Sequence, residues 1–212
     1  MQPYQPHQQP PNYPPQTANP YAAPQMGYTA ALSRADGYSM MVKWVHLGLY
    51  CFGIFGVVAI AIGSSQGRSG EVVAQVGTAC AVIGLYGPMI CGLVWLYKSW
   101  NLIPAGWRVT RNQKRISPGE AVGFMFVPCY NLYWIFIANM GLCDALDQVL
   151  YSSGSPTRAP RGLAVAACVF HLLPYVNILL GPIMWFIFMH ATDRTKREVL
   201  AILEGGQVAP GY

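Results

Sequence analysis

Four stretches of this chain contain no Asp, Glu, Lys or Arg, and each is long enough to cross a lipid bilayer. They cover residues 44–67, 72–97, 121–143 and 162–192. A spanning helix needs about 20 mostly apolar residues to match a hydrocarbon core roughly 30 Å thick. All 21 formally charged residues lie outside the stretches, as expected because a charge in mid-membrane is costly. The pattern predicts an all-α fold, an integral membrane bundle of four transmembrane helices.

The predicted organisation is a membrane domain at 38–203 between two short terminal segments. Its spans are expected at about 44–65, 72–97, 119–143 and 162–191. Composition agrees, because 10% of the residues are charged and 53% are hydrophobic, whereas a soluble domain has about 25% charged residues. Residues 1–37 are predicted to form a disordered Pro-, Gln- and Tyr-rich tail, and 204–212 a flexible C-terminus.

The positive charges indicate an orientation. Of the 13 Lys and Arg residues, ten lie before the first span, in the second loop or after the fourth span. With four spans these three segments share one side, and the positive-inside rule makes that side cytoplasmic. Both termini are therefore expected in the cytoplasm. The same placement explains the net charge of +5 without a nucleic-acid partner.

The proline-rich tail can be interpreted in two ways. Its composition cannot bury enough apolar surface to offset the entropy of ordering, so we expect polyproline II character. Residues 10–13 read Pro-Pro-Asn-Tyr, a string of the type that aromatic grooves bind. A passive, solvated tail is favoured over one that recruits a protein partner, because such strings arise easily in this composition.

Small residues follow one face of the second span. They recur at steps of three and four residues and are Gly77, Cys80, Ala81, Gly84, Gly87 and Cys91. Such a face permits close helix contact in lipid. The contact can be with a neighbouring span or with a second copy in a homo-oligomer, and packing within the chain is favoured.

The third and fourth spans share a Pro-x-x-Asn element, Pro128 with Asn131 and Pro174 with Asn177. Because proline lacks a backbone donor and clashes with the preceding turn, the helices should kink or break at Pro128, Pro174 and Pro182. Upstream, Ser117, Pro118 and Glu120 form a capping-box pattern that predicts a helix start.

Two interpretations of the paired breaks compete. Broken helices in transporters place polar groups near the bilayer midplane, which makes Asn131, Asn177, Tyr130 and His171 candidates for a polar membrane site. In the other interpretation the prolines only shape the bundle and the asparagines satisfy exposed backbone. The second is favoured, because the stretches lack the carboxylates typical of coupled transport.

The loop between the second and third spans combines aromatic and basic side chains. The residues predicted at the lipid interface are Trp100, Trp107, Lys98, Arg108, Arg111, Lys114 and Arg115. Aromatic and cationic side chains suit the headgroup region of an anionic leaflet, and this explains them better than stacking on nucleic acid. The stem 193–203 is expected to extend the fourth helix, with Arg194, Lys196 and Arg197 at the interface.

Three segments resemble an uncharacterised bacterial family of multi-span membrane proteins. They are W-L-Y-K-S-W at 95–100, I-S-P-G-E-A-V-G-F at 116–124 and F-V-P-C-Y-N-L-Y-W at 126–134. The resemblance covers about residues 90 to 150 and implies a location in the bacterial inner membrane. Because the activity of that family is unknown, it implies no catalytic role.

The sequence predicts neither an enzyme nor a cofactor. It has no phosphate-binding glycine loop and no catalytic triad pattern, and its six cysteines lack metal-ligand spacing. We therefore expect a structural or interaction component of the membrane, an adaptor or scaffold that meets a partner through the tail or the basic loop. The alternative is permeation of a small solute or ion through a site near the paired breaks.

Overall fold

The chain is all-helical over the residues that the structure, a computed structural model, describes. The backbone is described for 25–204, and the side chains for 41–204 except 174, 175 and 179. The helices are α1 (Gln25–Ser65), α2 (Glu71–Leu102), α3 (Pro118–Gly123), α4 (Tyr130–Ser152), α5 (Arg161–Leu172), α6 (Pro174–Leu179) and α7 (Gly181–Glu204). The predicted all-α fold is confirmed for this part of the chain.

The predicted terminal segments fall mostly outside the described residues. Of the tail, 1–24 lies outside them, and α1 already begins at Gln25. At the other terminus, 205–212 lies outside them as well.

Helices α1 and α2 form a long antiparallel pair. The pair contains two segments long and apolar enough to cross a membrane, Met41–Ser65 and Gly67–Leu102. Their backbones touch through glycine: a Cβ atom on Gly53 would lie 2.8 Å from the Gly84 Cα, and one on Gly56 would lie 2.6 Å from the Gly77 carbonyl oxygen. The predicted use of the small-residue face for packing within the chain is confirmed.

The third predicted span is divided into two helices that fold back on each other. The capping box at its start is confirmed, because Glu120 N donates to Ser117 Oγ (3.1 Å) and Ser117 N donates to Glu120 Oε2 (2.7 Å). Helical geometry ends before 127–129, and α4 then runs back beside α3. Trp134 Nε1 donates to the Ala121 carbonyl at 3.0 Å across this α3–α4 hairpin.

The fourth predicted span is divided in the same way. Helix α5 runs antiparallel to α4, with Arg161 paired to Asp144 at 2.8 Å near its start. The backbone is extended at Leu173, α6 follows, and α7 returns along α5 and α1 after a turn at Leu180. We call α5, α6 and α7 together the α5–α7 hairpin.

Both hairpins bring their two ends to one end of the bundle. Arg111 N donates to Asp144 Oδ2 at 3.2 Å, and Gln148 Nε2 donates to the Val109 carbonyl at 2.6 Å. Arg111 and Arg161 both contact Asp144. The loop before α3 and the loop after α4 therefore lie at the same end, although the four-span prediction put them on opposite sides. We call this the charged end; it comprises Lys43, 103–117, 153–160 and 193–204.

The described residues thus do not form four continuous spanning helices. The third and fourth charge-free stretches are long enough to cross a bilayer, but proline removes a backbone donor within each of them. The chain uses those breaks to reverse direction. Length and hydropathy do not distinguish a straight crossing from a hairpin, so the predicted count rested on a feature that both arrangements share.

Three tryptophans lie in the core near the charged end. Trp95, Trp100 and Trp134 are completely buried there. Trp100 was predicted at the lipid interface, and this is wrong, because its indole packs inside the bundle and donates to the Ala138 carbonyl at 3.1 Å. Tryptophan often lies at an interface because its indole N–H needs a hydrogen-bond partner such as water. Here the indole N–H already has a partner inside the bundle.

Candidate functional site

A cavity of about 390 Å³ lies between the α1–α2 pair and the two hairpins. Most of its wall is apolar. The polar side chains that line it are His46, Tyr50, Asn131, Asn139, His171 and Asn177. Among the lining residues none is Asp, Glu, Lys or Arg, so an ionic ligand would find no counter-charge in this wall.

The helix breaks carry three of these polar side chains to the cavity. Asn131 lies in the first turn of α4 after Pro128, and Asn177 lies in α6 after the break at Leu173. His171 lies in the last turn of α5, and its ring interacts with the Asn177 side chain. Three of the four residues predicted for a polar site therefore line one cavity.

Tyr130, the fourth, is not among the cavity-lining residues. Its ring stacks on Trp134 with 5.6 Å between centroids and meets Phe124 edge-on at 5.6 Å. Tyr130 thus belongs to the aromatic packing inside the α3–α4 hairpin. That the other three residues bind anything stays a prediction.

His46, which lines the cavity, carries a buried ring nitrogen without a hydrogen-bond partner. The side chain is buried in α1, and its Nδ1 lies 3.0 Å from the Pro88 carbonyl. Because a carbonyl only accepts, Nδ1 carries the hydrogen, and Nε2 of the neutral ring is then an acceptor. The Pro182 carbonyl is also close to the ring, but Nε2 has no hydrogen bond of acceptable geometry.

Asn139 supplies a second such acceptor. Its side chain is 1% exposed, and its Nδ2 donates to the Ile135 carbonyl at 2.7 Å. The amide oxygen Oδ1 has no partner among the described residues. Leaving a buried acceptor unsatisfied costs about 1–3 kcal/mol, so such atoms mark positions where a bound donor is stabilising. Neither Asn139 nor His46 was predicted from the sequence as part of a site.

The backbone is strained at the tip of the α3–α4 hairpin. Cys129 has φ 62° and ψ −39°, and Tyr130 N donates to the Pro128 carbonyl at 2.7 Å across it. This is close to a classic γ-turn, which L-residues rarely adopt. Strain of this kind persists where surrounding structure requires it, and here it directs the chain into the turn that carries Asn131.

A buried ion cluster lies at the charged end. Asp193 Oδ2 is 2.9 Å from Lys43 Nζ, and Asp193 Oδ1 is 2.6 Å from Lys196 Nζ. The three side chains are at most 6% exposed. Trp95 Nε1 also donates to Asp193 at 3.0 Å, and Lys196 donates to Ser99 Oγ at 3.1 Å. The cluster joins α1, α2 and α7.

Sequence reasoning missed this cluster and put Lys196 at the interface instead. A usable signal was present, because Lys43 immediately precedes the first charge-free stretch and Asp193 immediately follows the fourth. Two opposite charges at the same membrane level are candidates for pairing. The sequence does not say that they are buried.

The described residues define an all-helical protein with two candidate membrane-spanning helices and a polar-lined internal cavity. Within 41–204 no group of three His, Cys, Asp or Glu side chains is placed to hold a metal ion. No family model, curated protein or solved structure matches the chain. The resemblance to an uncharacterised bacterial membrane family therefore stays a prediction.

Proposed function

We propose that this chain is an integral membrane protein that binds a neutral amphiphile, a molecule with an apolar chain and a hydroxyl-bearing head, in its internal cavity. In this proposal α1 and α2 cross the bilayer, and the two hairpins enter it from the charged end without crossing. The proposal is supported most directly by the unpartnered acceptors His46 Nε2 and Asn139 Oδ1 in the cavity wall.

The membrane part of the proposal explains the surface of the α1–α2 pair. Away from the charged end this surface is formed by large apolar side chains that are 43 to 65% exposed, including Phe52, Phe55, Val57, Val76, Leu85, Tyr86 and Ile90. A soluble protein rarely exposes so large a contiguous apolar patch. Lipid acyl chains would cover it without any loss of packing.

Charge supports one orientation in the bilayer. Arg68 lies in the turn between α1 and α2, whereas the other twelve of the 13 Lys and Arg residues lie toward the charged end. This asymmetry is stronger than the one counted for four spans. By the positive-inside rule the charged end faces the cytoplasm, which also places both termini there.

The cavity wall indicates the class of ligand. A volume of about 390 Å³ falls in the usual range of small-molecule sites. The uncharged wall favours a neutral ligand, and two acceptors require a ligand that donates hydrogen bonds. Phe126, Leu132 and Ile178 line the cavity and are more than half exposed, so the cavity opens sideways, where an acyl chain can enter from lipid.

Binding fits this geometry better than permeation does. A permeation path needs polar lining from one face of the membrane to the other, and toward the α1–α2 turn the two helices pack directly on each other. There a Cβ atom on Gly63 would lie 2.6 Å from Ala74 N. The described residues thus leave no space for a path through the far half of one copy. The adaptor or scaffold role stays a prediction.

A pair of probes tests the proposal on the full chain in detergent. Monooleoylglycerol carries two hydroxyl donors, whereas methyl oleate has the same chain and none. We expect monooleoylglycerol to raise the thermal unfolding midpoint in proportion to log concentration and methyl oleate to leave it unchanged. Equal responses to the two probes would contradict the proposal.

Two glycine variants connect the response to the cavity. Gly92 lines the cavity, and a Cβ atom there meets only Met189 Cε at 3.8 Å. Gly92→Leu should therefore fill the cavity and abolish the response. Gly48→Leu is the matched control, because the space around Gly48 is open, and it should respond like the unmodified chain.

A further inference from the structure

A second groove, of about 450 Å³, lies at the charged end between α1, α7 and the loop 153–160. One side of it is aromatic. The rings of Trp44 and Phe186 meet edge-on with centroids 5.2 Å apart, and Phe186 stacks on His190 at 6.1 Å. The other side carries the guanidinium groups of Arg158 and Arg194.

The cations of this groove have donors available for an anion. Arg194 is exposed on α7 and forms no ion pair within the described part of the chain. Arg158 is oriented by two hydrogen bonds from one terminal nitrogen, to the Ser155 and Thr157 carbonyls at 3.1 and 3.0 Å. A guanidinium has five N–H donors, so most of those of Arg158 remain free to bind a ligand.

The charge around the groove favours an anion over a neutral ligand. No carboxylate lines the groove, and the adjacent ion cluster sets two ammonium groups, Lys43 and Lys196, against the single carboxylate of Asp193. The surroundings therefore present excess positive charge.

We propose that this groove binds the phosphate group of an anionic phospholipid. Arg158 and Arg194 would hold the phosphate oxygens through charge-assisted hydrogen bonds, and the acyl chain would lie along Trp44, Phe186 and Ile187 toward the apolar surface. The aromatic side favours a lipid over free phosphate, because inorganic phosphate gains nothing from it. The inference rests on the membrane insertion in the proposed function, but not on the amphiphile cavity.

The test compares two double variants of the full chain in nanodiscs of phosphatidylcholine with a minor fraction of phosphatidylglycerol. Arg158→Gln with Arg194→Gln removes the groove cations. Arg111→Gln with Arg115→Gln removes the same charge from exposed positions at the same end. Native mass spectrometry then counts the phosphatidylglycerol molecules that remain bound to each protein.

We expect the groove variant to retain about tenfold less phosphatidylglycerol than the unmodified chain, and the control variant to retain nearly as much. Equal losses in the two variants would mean general attraction to a charged surface and would overturn the proposal. Retention of phosphatidylglycerol by the groove variant would overturn it too. Displacement of the lipid by inorganic phosphate would identify a free-phosphate site instead and would also overturn it.

Folding and insertion are checked separately. Arg194→Gln alone removes no hydrogen bond of the described structure, so this single variant should keep the unfolding midpoint in phosphatidylcholine while losing phosphatidylglycerol. A protein that never inserts would fail in both lipids, which contradicts the proposed function. The protein could instead insert and be stabilised by monooleoylglycerol, while the groove variant binds as much phosphatidylglycerol as the unmodified chain. That result would contradict only the present inference.

Discussion

Asp193 and Lys43 form a buried ion pair of 2.9 Å across 150 positions of sequence. Lys196 contacts the other oxygen of the same carboxylate. The pair fixes the middle of α1 against α7 in a buried environment, where a charge is tolerated only when it is paired. We therefore expect loss of this contact to have a large effect on the free energy of unfolding.

Asp193→Ala should lower the free energy of unfolding by about 3–5 kcal/mol, because two buried ammonium groups would lose their counter-charge. Chemical unfolding in mixed micelles measures the loss. The triple variant Lys43→Met, Asp193→Leu, Lys196→Met removes all three charges and should recover most of it. If the single variant were neutral, the cluster would not be buried as described.

Single-cysteine labelling should place both connecting loops on one side. In a background without the six native cysteines, Gln113→Cys and Ser153→Cys should react with an impermeant maleimide from the same face, and Ser65→Cys from the opposite face. The contact between Arg111 and Asp144 requires this result. Labelling of positions 153 and 65 from one face would restore the four-span arrangement.

Gly84→Ala should destabilise the α1–α2 pair by about 1–3 kcal/mol, because the new methyl group would overlap Gly53 backbone atoms. Proteolysis or thermal unfolding in detergent shows the change. Gly48→Ala adds the same methyl to open space on α1 and should be neutral or slightly stabilising. Equal effects at both positions would argue against the close helix contact.

Cys129→Gly should relieve the strained turn at the hairpin tip. Glycine adopts positive φ freely, so we expect stabilisation of up to about 1 kcal/mol after the entropy of the unfolded chain is counted. Cys129→Ala keeps the strain while removing the thiol and serves as the control. A gain in the alanine variant alone would assign the effect to sulfur chemistry.

Because of Asp147, the stability of the fold should change with pH in the mildly acidic range. Burial raises the pKa of Asp147 above its ordinary value of 3.8, although the hydrogen bond from Ala159 N opposes the shift. A raised pKa means that the folded state favours the protonated form, so the contribution of Asp147 to stability is present below the unfolded pKa and is lost as pH rises through the folded pKa.

Asp147→Asn keeps an acceptor for Ala159 N and removes the charge of this half-buried side chain. The variant should be more stable than the unmodified chain at neutral pH and no more stable below about pH 4. Asp144→Asn is the matched control and should lose stability at neutral pH, because it breaks the ion pair with Arg161. Unfolding midpoints measured across pH compare the two variants. A gain of stability in Asp144→Asn at neutral pH would contradict the argument from burial.

The elements predicted correctly from the sequence depend on local chemistry. The capping box at Ser117 and Glu120 needs only four consecutive residues, and the small-residue face with Gly77 and Gly84 needs only helical periodicity. Both are present in the structure. Absence of charge over a long stretch likewise identified the segments that became α1 and α2.

The features that the sequence did not reveal depend on the direction of the chain and on the burial of side chains. Pro128 indicates a helix break. The reversal of chain direction is produced by the backbone angles of Cys129, which no residue preference predicts. His46 and Asn139 were not predicted because an unpartnered atom is a property of three-dimensional surroundings. Lys196 has the composition of an interfacial residue and is buried because Asp193 is one helical turn away.

The arrangement of the hairpins has a consequence for biogenesis. If the charged end stays in the cytoplasm, the insertion machinery has to carry across the membrane only the short turn between α1 and α2, with Arg68 its single fixed charge before Glu71. The loops 103–117 and 153–160 would stay on the side where the ribosome delivers the chain. Insertion would then be limited by one small translocation step, followed by docking of two hairpins that never leave their leaflet of entry.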